Sequence, residues 1–133
     1  MQQHVIRVAD VMQRDYEIIQ GMATVAEALA VMTRNNLHFV LVAKRNEDDE
    51  YGIVLVSDIA KEVLARDRSP ERTNVYEIMS KPLLSVPPQM DIRYCARLFQ
   101  RFGIDTAPVI EGGEIQGVVA YDQLVLKGLA KQA

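Results

Sequence analysis

The chain sets short apolar runs against amphipathic stretches, and it does so twice. Val5 to Met12 mixes apolar and polar residues and predicts a short lead-in, either strand or helical turn. Tyr16 to Gln20 reads as a short extended segment. Thr24-Val-Ala-Glu27 is a capping box: the Thr24 hydroxyl accepts from the Glu27 N–H, and the Glu27 carboxylate accepts from the Thr24 N–H. The helix it opens carries Val25, Ala28, Leu29 and Met32 at i, i+3, i+4 and i+7, one face of a helical period. Asn35-Asn36 ends it. His38 to Ala43 reads as a buried strand rich in Val and Leu. Lys44 to Glu50 is a charged turn, and Tyr51 to Val56 is the hairpin partner of the first strand. Ser57 is the expected N-cap of a helix running to about Arg66, with Ile59, Val63 and Leu64 facing inward.

Asp67 to Asn74 is polar, holds one proline and has linker composition. Beyond it the pattern returns. Ile78-Met79 matches Val11-Met12 at an offset of 67 residues, and at that offset Asp91 replaces Thr24 as the N-cap. The face Val25, Ala28, Leu29, Met32 becomes Ile92, Cys95, Ala96, Phe99, and Val40 and Val42 become Ala107 and Val109. The second hairpin turn, Glu111-Gly-Gly-Glu114, is two residues shorter, so Gly52 meets Gly117 at an offset of 65. Ile59 and Leu64 then meet Leu124 and Leu129. Agreement of faces, caps and turns with a single length change indicates tandem duplication. The division is 1–66 for the first repeat, 67–74 for the linker and 75–133 for the second repeat. Each half reads as short strand, helix, strand, turn, strand, helix. Neither is expected to be stable alone at about 60 residues. Two copies can share a core about a pseudo-two-fold axis, and clefts between such halves are natural ligand sites.

The bulk numbers narrow the function. Of 133 residues 49% are apolar, enough for a core and too many for disorder. The net charge of -3 argues against a nucleic-acid footprint. No apolar run approaches a membrane span, and the N-terminus lacks a signal-peptide core. The single Cys95 excludes an internal disulfide framework and fits a reducing, cytoplasmic setting. Two histidines, His4 and His38, make no metal site with it. Cys95 lies on the inward helix face and reads as a small buried apolar residue. No phosphate-loop or dinucleotide motif occurs. Asp48-Asp49-Glu50 is a solvated turn that could at most hold a divalent cation loosely. Two points do suggest binding. Tyr51-Gly-Ile-Val-Leu-Val-Ser-Asp-Ile59 and Gln116-Gly-Val-Val-Ala-Tyr-Asp-Gln-Leu124 each run a strand into a helix N-terminus, where unpaired N–H groups and the dipole favour anions.

Taken together, these segments resemble a tandem pair of CBS domains, the cystathionine-β-synthase type of regulatory module, over about residues 8–130. The resemblance rests on Val11-Met12 and Ile78-Met79, on Met22-Ala-Thr-Val-Ala-Glu-Ala-Leu29 and Gln89-Met-Asp-Ile-Arg-Tyr-Cys-Ala96, on Ala107-Pro-Val-Ile110, and on the two glycine-led repeat ends from Gly52 and Gly117. It implies an α/β (α+β) fold of two β-α-β-β-α repeats paired about a pseudo-two-fold axis. It further implies an adenosine-type ligand (AMP, ADP, ATP or S-adenosylmethionine) in the cleft between repeats, homodimerisation, and regulation of a partner protein rather than catalysis.

In nucleotide-binding members the last strand leads into Ser/Thr-x-x-Asp, with the hydroxyl on phosphate and the Asp on the ribose. Here Asp58 holds the carboxylate position but Leu55 the hydroxyl position, with Ser57 near it and out of register. In the second repeat Ala120 and Gln123 hold those positions, and Asp122 stands one residue early. A carboxylate can accept from two vicinal hydroxyls. It equally suits a helix N-terminus with no ligand. The family's basic positions before the central strand are His38 and Phe39, then Asp105 and Thr106; a protonated His38 would attract phosphate and Asp105 would repel it. Arg14 and Lys81 follow the paired methionines and could reach a phosphate, or be solvated. The resemblance places adenine against Ile18, Ile19 and Val40 in one repeat and Ser85, Val86, Ala107 and Pro108 in the other, all of which also read as core. The departures leave a second reading, an interaction or dimerisation module whose nucleotide sites have decayed. A small enzyme lacks any nucleophile–base constellation.

Overall fold

The computed structural model describes residues 5–82 and 84–132, so His4 lies outside it. Val8–Val11 forms one helical turn, α1, followed by the short strand β1, Ile18–Ile19. Helix α2 spans Val25–Asn35, and strands β2, Phe39–Val42, and β3, Gly52–Leu55, follow it. β3 runs without a loop into α3, Val56–Ile59, which widens into a π-helical turn over Ala60–Leu64. A 3-10 turn at Val75–Glu77 precedes α4, Ile92–Phe102. Strands β4, Thr106–Glu111, and β5, Glu114–Ala120, lead into a π-helical stretch, Gln123–Leu129, that closes as α5, Ala130–Gln132.

These elements collect into two compact units: Tyr16–Pro82, and Met1–Asp15 with Leu83–Ala133. The unit formed by Tyr16–Pro82 is a three-stranded sheet in the order β1-β2-β3, with β1 parallel and β3 antiparallel to β2. All four residues of β2 are buried, so the strand carries no alternation. Helix α2 covers it with Val25, Ala28 and Met32, and Leu29 is half-buried at the edge of that face. The predicted capping box is present: Glu27 N–H donates to Thr24 Oγ1 and Thr24 N–H to the Glu27 carboxylate, both at 3.1 Å. Asn36 ends the helix in the left-handed region at φ 53°, and Gly103 does so for α4 at φ 66°.

The other unit repeats this plan. β4 pairs antiparallel with β5, and α4 buries Ile92, Cys95 and Phe99. The strand expected beside β4 is reduced to a single parallel bridge, Val86 to Val109. The reason is Pro108. Leu41 N–H donates to Glu17 O at 3.0 Å in the first repeat, and Pro108, at the matching position, has no N–H to give.

The lead-in segments are exchanged. Gln13 bridges to Val118 of the second repeat, and Ser80 bridges to Ile53 of the first. The repeats along the chain and the compact units are therefore different partitions. The chain leaves one unit after its lead-in, completes the other, and returns. Two glycines make room for the exchange: a Cβ on Gly117 would lie 2.6 Å from Gln13 O, and one on Gly52 would lie 2.8 Å from Met79 Sδ.

Two expectations are corrected. Leu64 does not face inward; it is 79% exposed, and Leu129 is exposed as well. The inward row is Ile59 and Val63, four apart, and Leu64 lies one step further round the helix. Asp67 to Asn74 is not a free linker. Thr73 is buried, its carbonyl accepts from Val25 N–H, and the Pro70 carbonyl accepts from Ala26 N–H, so the segment satisfies open donors of α2.

Candidate ligand site at the strand-to-helix junctions

In each unit the last strand enters its helix directly, and a side chain three residues on closes the junction. The Asp58 carboxylate accepts from Leu55 N–H at 2.8 Å through Oδ2. Gln123 Oε1 accepts from Ala120 N–H at 2.7 Å in the same way. The structural task of this position is to satisfy a donor that neither the ladder nor the helix can reach. An amide performs it as well as a carboxylate. Each junction is also pinned to the residue before the central strand: Val56 N–H donates to His38 O at 3.1 Å, and Tyr121 N–H to Asp105 O at 3.2 Å.

This geometry corrects the expected cap. Leu55 occupies the N-cap position, and Ser57 sits exposed inside the first turn. The helix starts two residues early because the Asp58 carboxylate, reaching back, replaces a capping hydroxyl. Asp58 is half-buried, and among the described residues no further hydrogen bond falls on its Oδ1. His38 is exposed next to this junction, and Ile18 is 40% exposed on β1, in register with Leu41. Val40 is fully buried in the core.

Lys81 is not brought to this end. Its ammonium lies 3.1 Å from Asp49 Oδ1 and donates to Glu50 O, beside the turn at the far end of β2. The Asp49 carboxylate also accepts from Arg45 N–H at 2.9 Å. That backbone bond first, and Lys81 second, hold its carboxyl well below the usual range. Asp49 thus holds two ion pairs, with Lys81 and with Arg45 at 3.3 Å, which the reading of Asp48-Asp49-Glu50 as a solvated turn missed. A hollow of about 500 Å³ lies at this same far end, lined by Gly21, Met22, Val42, Lys44, Tyr76 and Met79. None of the ligand residues named from the sequence lines it.

In the other unit Val86, Ala107 and Pro108 are buried, while Ser85, Asp105 and Asp122 are exposed. Gln123, not Asp122, closes the junction. Arg14 donates to Ala9 O at 3.0 Å within its own lead-in. Cys95 is buried, and burial pushes its thiol up to about 11. Among the described residues no group of three or more His, Cys, Asp or Glu could hold a metal ion, and no helix is long and apolar enough to cross a membrane.

A duplicated β-α-β-β-α plan with matching strand-to-helix junctions defines an α+β tandem-repeat module. The chain belongs to the CBS domain family, whose model matches residues 8–65 and 75–127. It is similar to a CBS domain-containing protein of Bacillus subtilis (strain 168), 25% identical over 95% of this chain and 88% of that protein. It also resembles a protein of Methanocaldococcus jannaschii, 24% identical over 81% of this chain. The chain spans about 60% of the length of that relative and of one from Methanopyrus kandleri (59% and 61%). Among solved structures, a hexameric CBS-CP12 protein from bloom-forming cyanobacteria is 37% identical, with a TM-score of 0.89, over 94% of this chain and 69% of that one. The CBS domain pair of protein MJ0100, in complex with 5′-methylthioadenosine and S-adenosyl-L-methionine, shares the fold at a TM-score of 0.80 and 18% identity, over 96% of this chain and 99% of that one.

Proposed function

We propose that this chain is a ligand-sensing regulatory module that binds an adenosine-type molecule at the Asp58 junction and signals to a partner protein. AMP, ADP, ATP and S-adenosylmethionine are the candidates. The carrying observation is the half-buried Asp58 carboxylate, which closes its junction with one oxygen and keeps the other for a ribose hydroxyl. The exposed His38 imidazole beside it can meet a phosphate when protonated. The adenosine ligands of the MJ0100 domain pair support this ligand class. Ligand binding favours one conformation of the module, and a partner reads that shift. The C-terminal helical stretch exposes Val125, Leu126 and Leu129, an apolar row suited to pairing with a second copy.

The second repeat favours the other reading, a site given over to structure. Gln123 makes the junction bond with no carboxylate to offer, and Asp105 opposes a phosphate. We therefore assign one site, in the first repeat. The test is a thermal-shift screen with AMP, ADP, ATP and S-adenosylmethionine on the wild type and on Asp58→Asn. Asparagine can keep the Leu55 bond, as Gln123 does at its own junction, and removes the charge. The expected result is a higher melting temperature with one ligand, lost in the variant. No shift at millimolar ligand would overturn the assignment and leave the interaction module.

A further inference from the structure

Helix α4 carries a pattern its fold does not require. Arg followed by an apolar residue recurs every four positions: Arg93-Tyr94, Arg97-Leu98 and Arg101-Phe102. The inward face is a separate set, Ile92, Cys95 and Phe99. Four residues advance a helix by about 6 Å and about 40° beyond a full turn. The three pairs therefore form two rows side by side, one cationic and one apolar. The arginines are exposed, and so are Tyr94 at 50% and Phe102 at 48%. Arg93, Tyr94, Arg97, Leu98 and Arg101, with Asp91, line a shallow groove of about 320 Å³. The Asp91 carboxylate accepts from Arg93 N–H at 2.8 Å. No acid occurs within Ile92–Phe102, so the helix is strongly basic in a chain of net charge -3. Among the described residues neither Arg97 nor Arg101 has an ion-pair partner. The matching helix α2 has no such rows; its only arginine is Arg34, and it also carries Glu27.

We propose that this face docks an acidic helix of a partner protein, one bearing Glu or Asp at four-residue spacing with apolar residues beside them. Ridges four residues apart on two helices interdigitate in the commonest packing class. Guanidinium groups pair with carboxylates at short, often bidentate contacts. A second copy of this chain is a poor occupant. A two-fold contact through this face would set arginine rows against each other. Among the described residues the acidic pair on the α3 stretch is already engaged in part: Asp58 accepts from Leu55 N–H with one oxygen and Glu62 is paired with Arg66.

The test uses the full chain and two synthetic helical peptides of identical composition. One carries Glu every four residues with Leu next to each; the other has the same residues scrambled. Fluorescence anisotropy is read at low and high salt. The patterned peptide is expected to bind at least about tenfold more tightly than the scramble, and more weakly as salt screens the contact. Arg97→Glu with Arg101→Glu, checked for an unchanged melting temperature, is expected to abolish binding. A peptide with Lys in place of Glu is expected to recover it. Equal binding of patterned and scrambled peptides would overturn the proposal. So would unchanged binding by the charge-reversed variant, failure of the swapped peptide to recover it, or binding of single-stranded DNA or anionic lipid vesicles through the same arginines as tightly as the patterned peptide.

Discussion

Replacing Gly117 by alanine puts a methyl group where the exchanged lead-in passes. Gln13 N–H donates to Val118 O at 2.8 Å, and Val118 N–H donates to Gln13 O at 3.0 Å. The new Cβ would stand 2.6 Å from that same Gln13 oxygen and 3.1 Å from Met12 Sδ. A backbone atom cannot rotate away, so the lead-in must shift and strain both bonds. Overpacking of this kind costs about 1–3 kcal/mol. Weakening two hydrogen bonds worth about 1 kcal/mol each raises the expectation to about 2–4 kcal/mol. The lower unfolded-state entropy of alanine offsets about 0.4–1 kcal/mol of that. Gly52 supplies an internal control at the matching position. Its Cβ would meet Met79 Sδ at 2.8 Å and Val42 Cβ at 3.3 Å. The thioether end can change rotamer, so Gly52→Ala is expected to cost about 1 kcal/mol. At about 3–5 °C per kcal/mol, Gly117→Ala loses clearly more melting temperature than Gly52→Ala. Urea unfolding followed by circular dichroism measures both, and hydrogen exchange at the Gln13 and Val118 amides locates the effect. Equal costs for the two variants, or unchanged protection at Val118 in Gly117→Ala, would refute the reasoning.

Two further outcomes follow from the titrating groups. The Asp49 carboxyl is held below its ordinary value, and a depressed folded-state value stabilises above the unfolded value and is lost as pH falls through the folded one. Asp49 is therefore expected to stay ionised below its ordinary midpoint of 3.8, and Lys81→Met to raise its midpoint; a wild-type midpoint at 3.8 by NMR titration contradicts this. The buried Cys95 thiol, raised to about 11, is expected to alkylate far more slowly than a free cysteine at pH 8, with the rate rising as urea unfolds the protein. Native labelling at the free-cysteine rate would show that the site is open.

Much of the fold was legible because the signals are local. The Thr24 box, the Asn36 stop and the face Val25, Ala28, Met32 depend on neighbours within one or two helical turns, and all three are present. Asp58 was legible as a helix-start carboxylate and Gln123 as the residue at the matching position, because the repeat sets their register; that each closes its junction by accepting a strand-end N–H was not, since Ser57 was the expected cap. The destination of Lys81 was not. A flexible cation after a paired methionine can turn to either end of a sheet, and Asp49 captures it at the turn. The basic and apolar rows of α4 were written in the sequence but hidden by the chain's net negative charge.

The sequence by itself determined the duplication and the order of the main helices and strands. Those rest on periodicity, capping chemistry and a repeat that aligns with a single length change. Only the tertiary structure decided which copy each lead-in completes. Val11-Met12 and Ile78-Met79 are nearly alike, and both copies present a glycine and a free strand edge to receive them. Local propensity cannot separate two equivalent docking edges, so the choice is made by packing across the length of the chain.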